Sequence, residues 1–280
     1  MTVQSEGAVG NVAIPARPAK PTVWSQLADK LTSPFFAVLL IAYWEFHVHF
    51  FEVDGLLLPP PSKILVSLWH GLSSGLFLEH FGITIYRALS GFLIAMFMGI
   101  ALGAFISQFR FIEKTVYPWV VALQTVPKIA IAPLILVWCG YGSLSKIVTA
   151  TLVALFPVLV NTIIGLRNCE QGKLDLMRSL KASRWLTFRM VQLPNALPFI
   201  FAGLSVAVVF SILGAIVGEF VGSKDGIGFL ILDANYQLNI PRVFALLILL
   251  AAYGISCHLL LRFAHRKLVF WNEQHNVTSA

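Results

Sequence analysis

Charged side chains are scarce in this chain, so the places where they gather are where its chemistry can be sought. The densest gathering is KLDLMRSLKASRWLTFRMVQLPNALP, residues 173–198. It carries Lys173, Arg178, Lys181, Arg184 and Arg189 with one carboxylate, Asp175. Leu174, Met177, Leu180 and Trp185 keep near-helical spacing, with the basic residues between them. The pattern predicts a short amphipathic helix, a turn and a second helix over 172–184. Such a segment can rest on anionic lipid with its Lys and Arg at the headgroups. It can equally dock on a protein partner through its apolar side chains.

Other reactive residues are few and dispersed. His47 and His49 lie two apart with Glu45 and Glu52 nearby, which is a possible metal pair. A spacing of two puts them on different faces of a helix, which argues against a shared ion. Cys139, Cys169 and Cys257 have neither CxxC nor Cys/His spacing and read as free thiols. No GxxxxGK[ST] phosphate loop is present: GLRNCEQGKL has a Gly-Lys at the wrong spacing, with no Ser or Thr after it. HExxH is absent, and no Ser/His/Asp set stands out. Intramembrane charges are functional candidates by default. Lys128 is the first of these and Arg87 the second, as residues that could line a pathway. The plainer reading of Lys128 is that it marks where the third membrane helix begins. Glu45, Arg87 and Glu219 fall near predicted interfaces, where they can snorkel.

The elements that hold these residues follow from composition. Of 280 residues, 58% are hydrophobic and 12% charged, against about 25% charged in soluble domains. Such a chain cannot clothe itself in polar surface and belongs in a bilayer. Its net charge of +7 would suggest nucleic acid in a soluble protein. Here the placement of the charges matters more than their sum, and no nucleic-acid partner is expected. Residues 1–30 are polar, with no apolar core of the kind a cleavable signal peptide has.

A spanning helix needs about 20 mostly apolar residues. Six candidates are found: 33–51, 86–107, 117–139, 144–166, 196–218 and 243–262. The third contains Pro118, Pro127 and Pro133. Proline removes an amide donor, so a kinked or interfacial piece near 117–126 and then a short helix are expected, facing the bundle interior. The prolines of the two LP pairs, at 194 and 198, read as initiators of the fifth span. Lys and Arg bias sets orientation. With the N-terminus inside, the inner segments hold 3, 2, 6 and 3 basic residues and the outer ones 1, 1 and 2. Both termini are therefore expected in the cytoplasm, with 173–198 in the largest inner loop. Gly91, Ala95, Gly99 and Gly103, and again Gly214, Gly218 and Gly222, form small-residue ridges. These suit bundle packing or an interface between copies.

The loop also resembles a known pattern. LLEAARSLGASR followed by LP is the EAA loop of the permease subunits of ABC importers, and KLDLMRSLKASRWLTFRMVQLPNALP is similar to it. LLLPPPSKILVSLW (56–69), LQTVPKIAIAPLILVWCGYGSLSK (123–146), FPVLVNTIIGLRN (156–168) and VGEFVGSKDGIGFLI (217–231) resemble, in order, the nitrate/sulfonate/taurine branch of that family. The family's Glu is Asp175 here, followed by Leu176 and Met177 in place of two alanines. Its Gly is Lys181, which makes a positive-φ turn costlier.

The resemblance implies an all-α membrane protein with the type I ABC importer fold. It divides the chain into a cytoplasmic tail (1–32), a first helix (33–55), the transmembrane domain (56–266) with its coupling loop (167–195), and a second tail (267–280). It implies that Asp175, Leu176, Met177, Arg178, Ser179, Leu180, Lys181, Ala182, Ser183 and Arg184 seat in a groove on a separate ATP-binding subunit. This chain would then be no enzyme and would hold no cofactor, ATP and magnesium being bound by the partner. The implied assembly is two permeases, as a homodimer, with two ATPases and an extracytoplasmic solute-binding protein, in a bacterial inner membrane. The branch carries nitrate, sulfonates, taurine and related small molecules. An ion-coupled secondary transporter is the competing reading; it would need coupling charges deep in the membrane.

Overall fold

Backbone amides in hydrocarbon must be satisfied by other backbone groups, which leaves helices or closed barrels, and apolar runs of about 20 residues suit helices. The computed structural model describes residues 23–271, and every regular element among them is helical. Residues 1–22 and 272–280, the greater part of the two expected tails, lie outside the described residues. The chain divides into two units after Glu52. The first contains α1 (Val23–Phe50). Within α1, His49 Nδ1 lies 2.9 Å from the Glu45 carbonyl of its own helix.

The second unit contains the rest. It runs α2 (Pro61–Ser73), α3 (Leu76–Gln108), α4 (Arg110–Thr125), a 3-10 turn (Lys128–Ile131), α5 (Ala132–Cys139) and α6 (Ser143–Arg167). After these come α7 (Gln171–Ser179), α8 (Arg184–Thr187), a π turn (Phe188–Gln192), α9 (Leu193–Gly222), α10 (Ile227–Tyr236) and α11 (Ile240–Leu268). Among the described residues four helical runs are long and apolar enough to cross a membrane: α3, α6, Arg184–Gly222 and α11. Phe111–Thr125 and Lys128–Cys139 make a fifth if counted as one span, bent by 82°. The bend falls at Val126 and Pro127, as the prolines predict. Phe35–Phe50 is a shorter apolar helix.

The core is α6, packed between α3 and α9. The glycine ridges explain how they come so close. A Cβ on Gly99 would lie 2.8 Å from the Val158 Cβ, and one on Gly214 would lie 2.7 Å from the Ala150 Cα. Both ridges are therefore filled by side chains and backbone of this same chain rather than left as a face for a second copy.

Three features depart from expectation. α2 and α10 went unpredicted, being too short for a span. The segment expected to face the bundle interior does so only in part. Ala132, Ile135 and Leu136 are buried, while Trp119, Leu134, Val137 and Trp138 are exposed on the single chain. The fifth span does not start at its prolines. Helix runs unbroken from Arg184, because a π turn precedes Pro194, with the Leu193 amide donating to the Phe188 carbonyl. The wider turn accommodates a residue that has no amide to donate.

Candidate functional site

The basic segment joins α6 to α9 at one end of the bundle. α7 ends in a Schellman motif: the Ala182 amide donates to the Met177 carbonyl at 3.0 Å and the Lys181 amide to the Arg178 carbonyl at 2.9 Å. The motif requires a left-handed residue at its turn, and Lys181 takes φ +52°. The position at which the resemblance implies a glycine has a positive φ here and is occupied by a lysine. Ser183 then caps α8, its hydroxyl accepting from the Leu186 amide at 3.2 Å. Two short helices are held at a defined angle by a turn whose hydrogen bonds are all local.

The side chains on this frame are open. Leu176 and Leu180 are 60% and 67% exposed, and Trp185 is 69% exposed. Arg178 donates to Asp175 at 2.7 Å across one helical turn, and both side chains face solvent. An exposed pair of this kind adds little stability, which leaves both charges available to a partner.

The loop is fastened to the bundle at its base. Asn195 donates to the carbonyls of Gly165 and Asn168, and a Cβ on Gly165 would meet Phe199 and the Ala196 backbone. Arg167, the last residue of α6, pairs with the buried Glu113 of α4. Beside it Ile106, Val120, Leu159 and Ile163 form a small apolar core. It is thus the base of the loop, rather than α7 itself, that is packed on α4, α6 and α9.

Of the two expected pathway residues, Lys128 is half-buried at the bend. Its ammonium donates to the Gln124 carbonyl at 3.0 Å and lies 4.6 Å above the Phe156 ring. Arg87 is different: it is 2% exposed, its guanidinium turned onto other side chains of the bundle rather than out to solvent. The expectation that Arg87 and Glu219 snorkel is corrected here, because both side chains are buried against each other. The guanidinium donates to Glu219 Oε1 at 2.9 Å and to Asp225 Oδ1 at 2.6 Å. Mutual neutralisation removes the need for either charge to seek water.

That pair anchors a polar cluster at the other end of the bundle, tying α3, α6, α9 and α10. The Thr84 hydroxyl lies 3.0 Å from Glu219 Oε1 and accepts from the Ile227 amide at 2.7 Å. The Gly228 amide donates to Glu219 Oε2 at 2.8 Å, and the Gly226 amide to His80 Nδ1 at 3.0 Å. The first amides of α10, which have no helical acceptor, are thus satisfied by side chains of α3 and α9. Gly226 sits at φ +95°, and a Cβ there would clash with the Glu219 carboxylate, so only glycine fits. Lys146, the one basic residue of the outer segment 140–146 in the charge count, is instead fully buried in α6. Its ammonium donates to the Gly222 carbonyl at 2.6 Å and the Tyr141 carbonyl at 2.7 Å, capping the C-terminal end of α9.

Asp225, in the loop after α9, feels two opposing effects. Partial burial disfavours its charge. Hydrogen bonds from Arg87 and Ser223, with the Arg87 charge and His80 beside it, outweigh that and hold the carboxyl below its ordinary range. Thr84, Lys146 and Asp225 carried no sequence signal as a group, since their partners lie on other helices.

Comparison with known proteins places this geometry. Residues 91–270 match the model of the family described as binding-protein-dependent transport system inner membrane component. The chain is 33% identical over 238 residues to the riboflavin transport system permease protein RibX of Chloroflexus aurantiacus, covering 85% of this chain and 89% of that one. It is 32% identical over 237 residues to the putative aliphatic sulfonates transport permease protein SsuC of Bacillus subtilis, covering 85% and 86%. Its fold is similar to a chain from the MetNI methionine ABC transporter in inward-facing conformations. The TM-score is 0.55 and the identity 20%, over 66% of this chain and 92% of that one.

Proposed function

Because this chain belongs to the family of binding-protein-dependent transport system inner membrane components, we propose how it works within an ATP-driven importer. It is the permease subunit for a small solute, and it couples to a separate ATP-binding subunit through residues 167–195. The observation that carries this is the loop. α7 and α8 present Leu176, Leu180 and Trp185 with an exposed Asp175–Arg178 pair on a frame braced against α6 and α9. An exposed apolar patch with charges at its rim suits a protein partner. The residues we assign to that contact are Asp175, Leu176, Met177, Arg178, Ser179, Leu180, Lys181, Ala182, Ser183 and Arg184.

In this reading α1 supplies a sixth span, and both termini are cytoplasmic. A second copy completes the pathway, covering part of the exposed face of α4 and α5. Two ATPases close on nucleotide and pull the loops. α6 and α9, joined rigidly to each loop, tilt, and the path changes its opening from one side to the other. A solute-binding protein delivers cargo at the far end. ATP hydrolysis belongs to the partner, and this chain does no bond chemistry. The cargo class we favour is a sulfonate-type anion or a related small organic molecule, in keeping with the solutes named for its relatives. Lys128 remains our pathway residue, whereas Arg87 is engaged with its own carboxylates.

The test is a tagged purification from native membranes in mild detergent. Recovery of a chain bearing a GxxxxGK[ST] loop, lost when 174–184 becomes a Gly/Ser linker, supports the reading. The same loss is expected on reversing the charges of Asp175 and Arg178 together. Recovery of this chain alone, with transport driven by an ion gradient, would overturn it.

A further inference from the structure

α2 is amphipathic in an unusual way. It has 13 residues, too few to cross a bilayer, yet Leu65 and Trp69 are 61% and 71% exposed. On its other flank it borders an open groove of about 620 Å³ lined on the far side by the starts of α3 and α11. Lys63 and His70 of α2 and Arg242 of α11 line this groove, and among the described residues its lining has no Asp or Glu, the nearby Asp233 lying outside it. The groove is built rather than incidental. α2 is pressed on α3 so closely that a Cβ on Gly71 would collide with the Phe77 ring. Arg242 is largely packed in, its side chain 18% exposed, with one carboxylate near it, Asp233 at 3.8 Å, beyond hydrogen-bond distance.

We propose that this groove binds the phosphate headgroup of an anionic phospholipid, whose acyl chains run over Leu65, Val66 and Trp69. The basic lining accounts for the headgroup. The apolar strip beside it accounts for the chains, and a free anion would have no use for such a strip. The arrangement also fits the place α2 must occupy. A short helix with Trp on its apolar side lies at the membrane–water boundary, where phosphates sit. Lys63, on a flexible stem, reaches the phosphate from the rim, while Arg242 meets it from a fixed position with a planar, multidentate head. Lipid seated here would pin α2 to α11 at the end of the bundle where Arg87 and Glu219 pin α3 to α9. This inference rests on the chain being embedded in a membrane and is independent of the ATPase contact.

The experiment is native mass spectrometry of the intact transporter from mixed micelles of nonionic detergent with phosphatidylglycerol or phosphatidylcholine. Wild type should retain phosphatidylglycerol through detergent exchange and release phosphatidylcholine. Lys63→Gln and Arg242→Gln should each cut the phosphatidylglycerol-bound fraction about fivefold. Arg242→Gln also breaks the contact with Asp233, so Lys63→Gln, at an exposed side chain, is the deciding variant. Equal retention by wild type and Lys63→Gln overturns the proposal. So does inorganic phosphate at millimolar concentration displacing phosphatidylglycerol from wild type, which would make the groove a free-anion site. Unchanged lipid retention with lost capture of the solute-binding protein in Lys63→Gln would give the groove to that protein instead.

Discussion

Arg87 and Glu219 stand 132 residues apart in the chain and 2.9 Å apart in the fold. Their side chains are 3% and 0% exposed. A charge this deep is tolerable only with its partner in place, and each is further held by Thr84, Ser143, Ser223 or the amides of α10. The pair therefore acts as the rivet between the first and last helices of the α3–α6–α9 core.

Removing one member should cost more than removing both. Arg87→Met leaves Glu219 buried and unpaired, and should lower stability by about 3–5 kcal/mol. The double variant Arg87→Met with Glu219→Leu should recover a good part of that loss. Thermal unfolding in detergent, followed by loss of monodisperse protein, reads both. A double variant as unstable as the worse single one would mean that the surrounding hydrogen bonds, not the ion pair, hold this end together.

Asp225 gives a pH signature. Its carboxyl is held below the ordinary value of about 3.9 because Arg87 and Ser223 favour the ionised form more than burial opposes it. A depressed pKa contributes stability that is whole above the ordinary value and lost as pH falls through the folded one. Wild type should therefore lose melting temperature below about pH 4 more steeply than Asp225→Asn. The difference should shrink at high salt, since the carboxylate is half-exposed and screened. Parallel curves for the two proteins would remove Asp225 from the clamp.

Hydropathy revealed four of the six expected spans, and the prolines the break at Pro127 in a fifth, because those signals are local and, for a span, roughly 20 residues long. The same window hid α2 and α10, which are too short to register. It also placed the start of α3 ten residues late, since Glu79, His80 and Thr84 lower the local average over the first turns. Glu219 and Arg87 were visible as charges but not as a pair. Nothing in a linear chain says that residue 87 meets residue 219. Lys146 read as a loop residue because a buried lysine that caps another helix looks, in sequence, like any boundary lysine. The loop turn was legible only through its resemblance, which marked position 181 as one meant for glycine.

That position supplies a stability test. Lys181 pays for a left-handed conformation at φ +52° that glycine adopts freely. Lys181→Gly should stabilise the α7–α8 turn by about 1 kcal/mol and Lys181→Val should weaken it by a comparable amount. Hydrogen exchange at the Lys181 and Ala182 amides, which donate to Arg178 and Met177, measures this directly. Slower exchange in Lys181→Gly and faster in Lys181→Val is the expected order. Identical rates in all three would show that the turn opens without breaking the Schellman hydrogen bonds.

The two ends of the bundle also make a claim about sidedness. Ser73 ends α2 just before α3 begins, and Lys224 adjoins Asp225, which binds Arg87 near the start of α3. Lys173 lies in α7, beyond the C-terminal end of α6 and thus at the opposite end. With Cys139, Cys169 and Cys257 replaced, Ser73→Cys and Lys224→Cys should react with a membrane-impermeant maleimide added outside intact cells. Lys173→Cys should react only after the membrane is opened. The asymmetry of Lys and Arg predicts this direction, since the Lys173 end carries the most basic loop. Labelling of Lys173→Cys from outside would invert the chain and put the proposed ATPase contact on the wrong side. Labelling of Lys224→Cys only after opening, with Ser73→Cys labelled from outside, would break the six-span topology itself, because it would set the two ends of one buried clamp on opposite faces of the membrane.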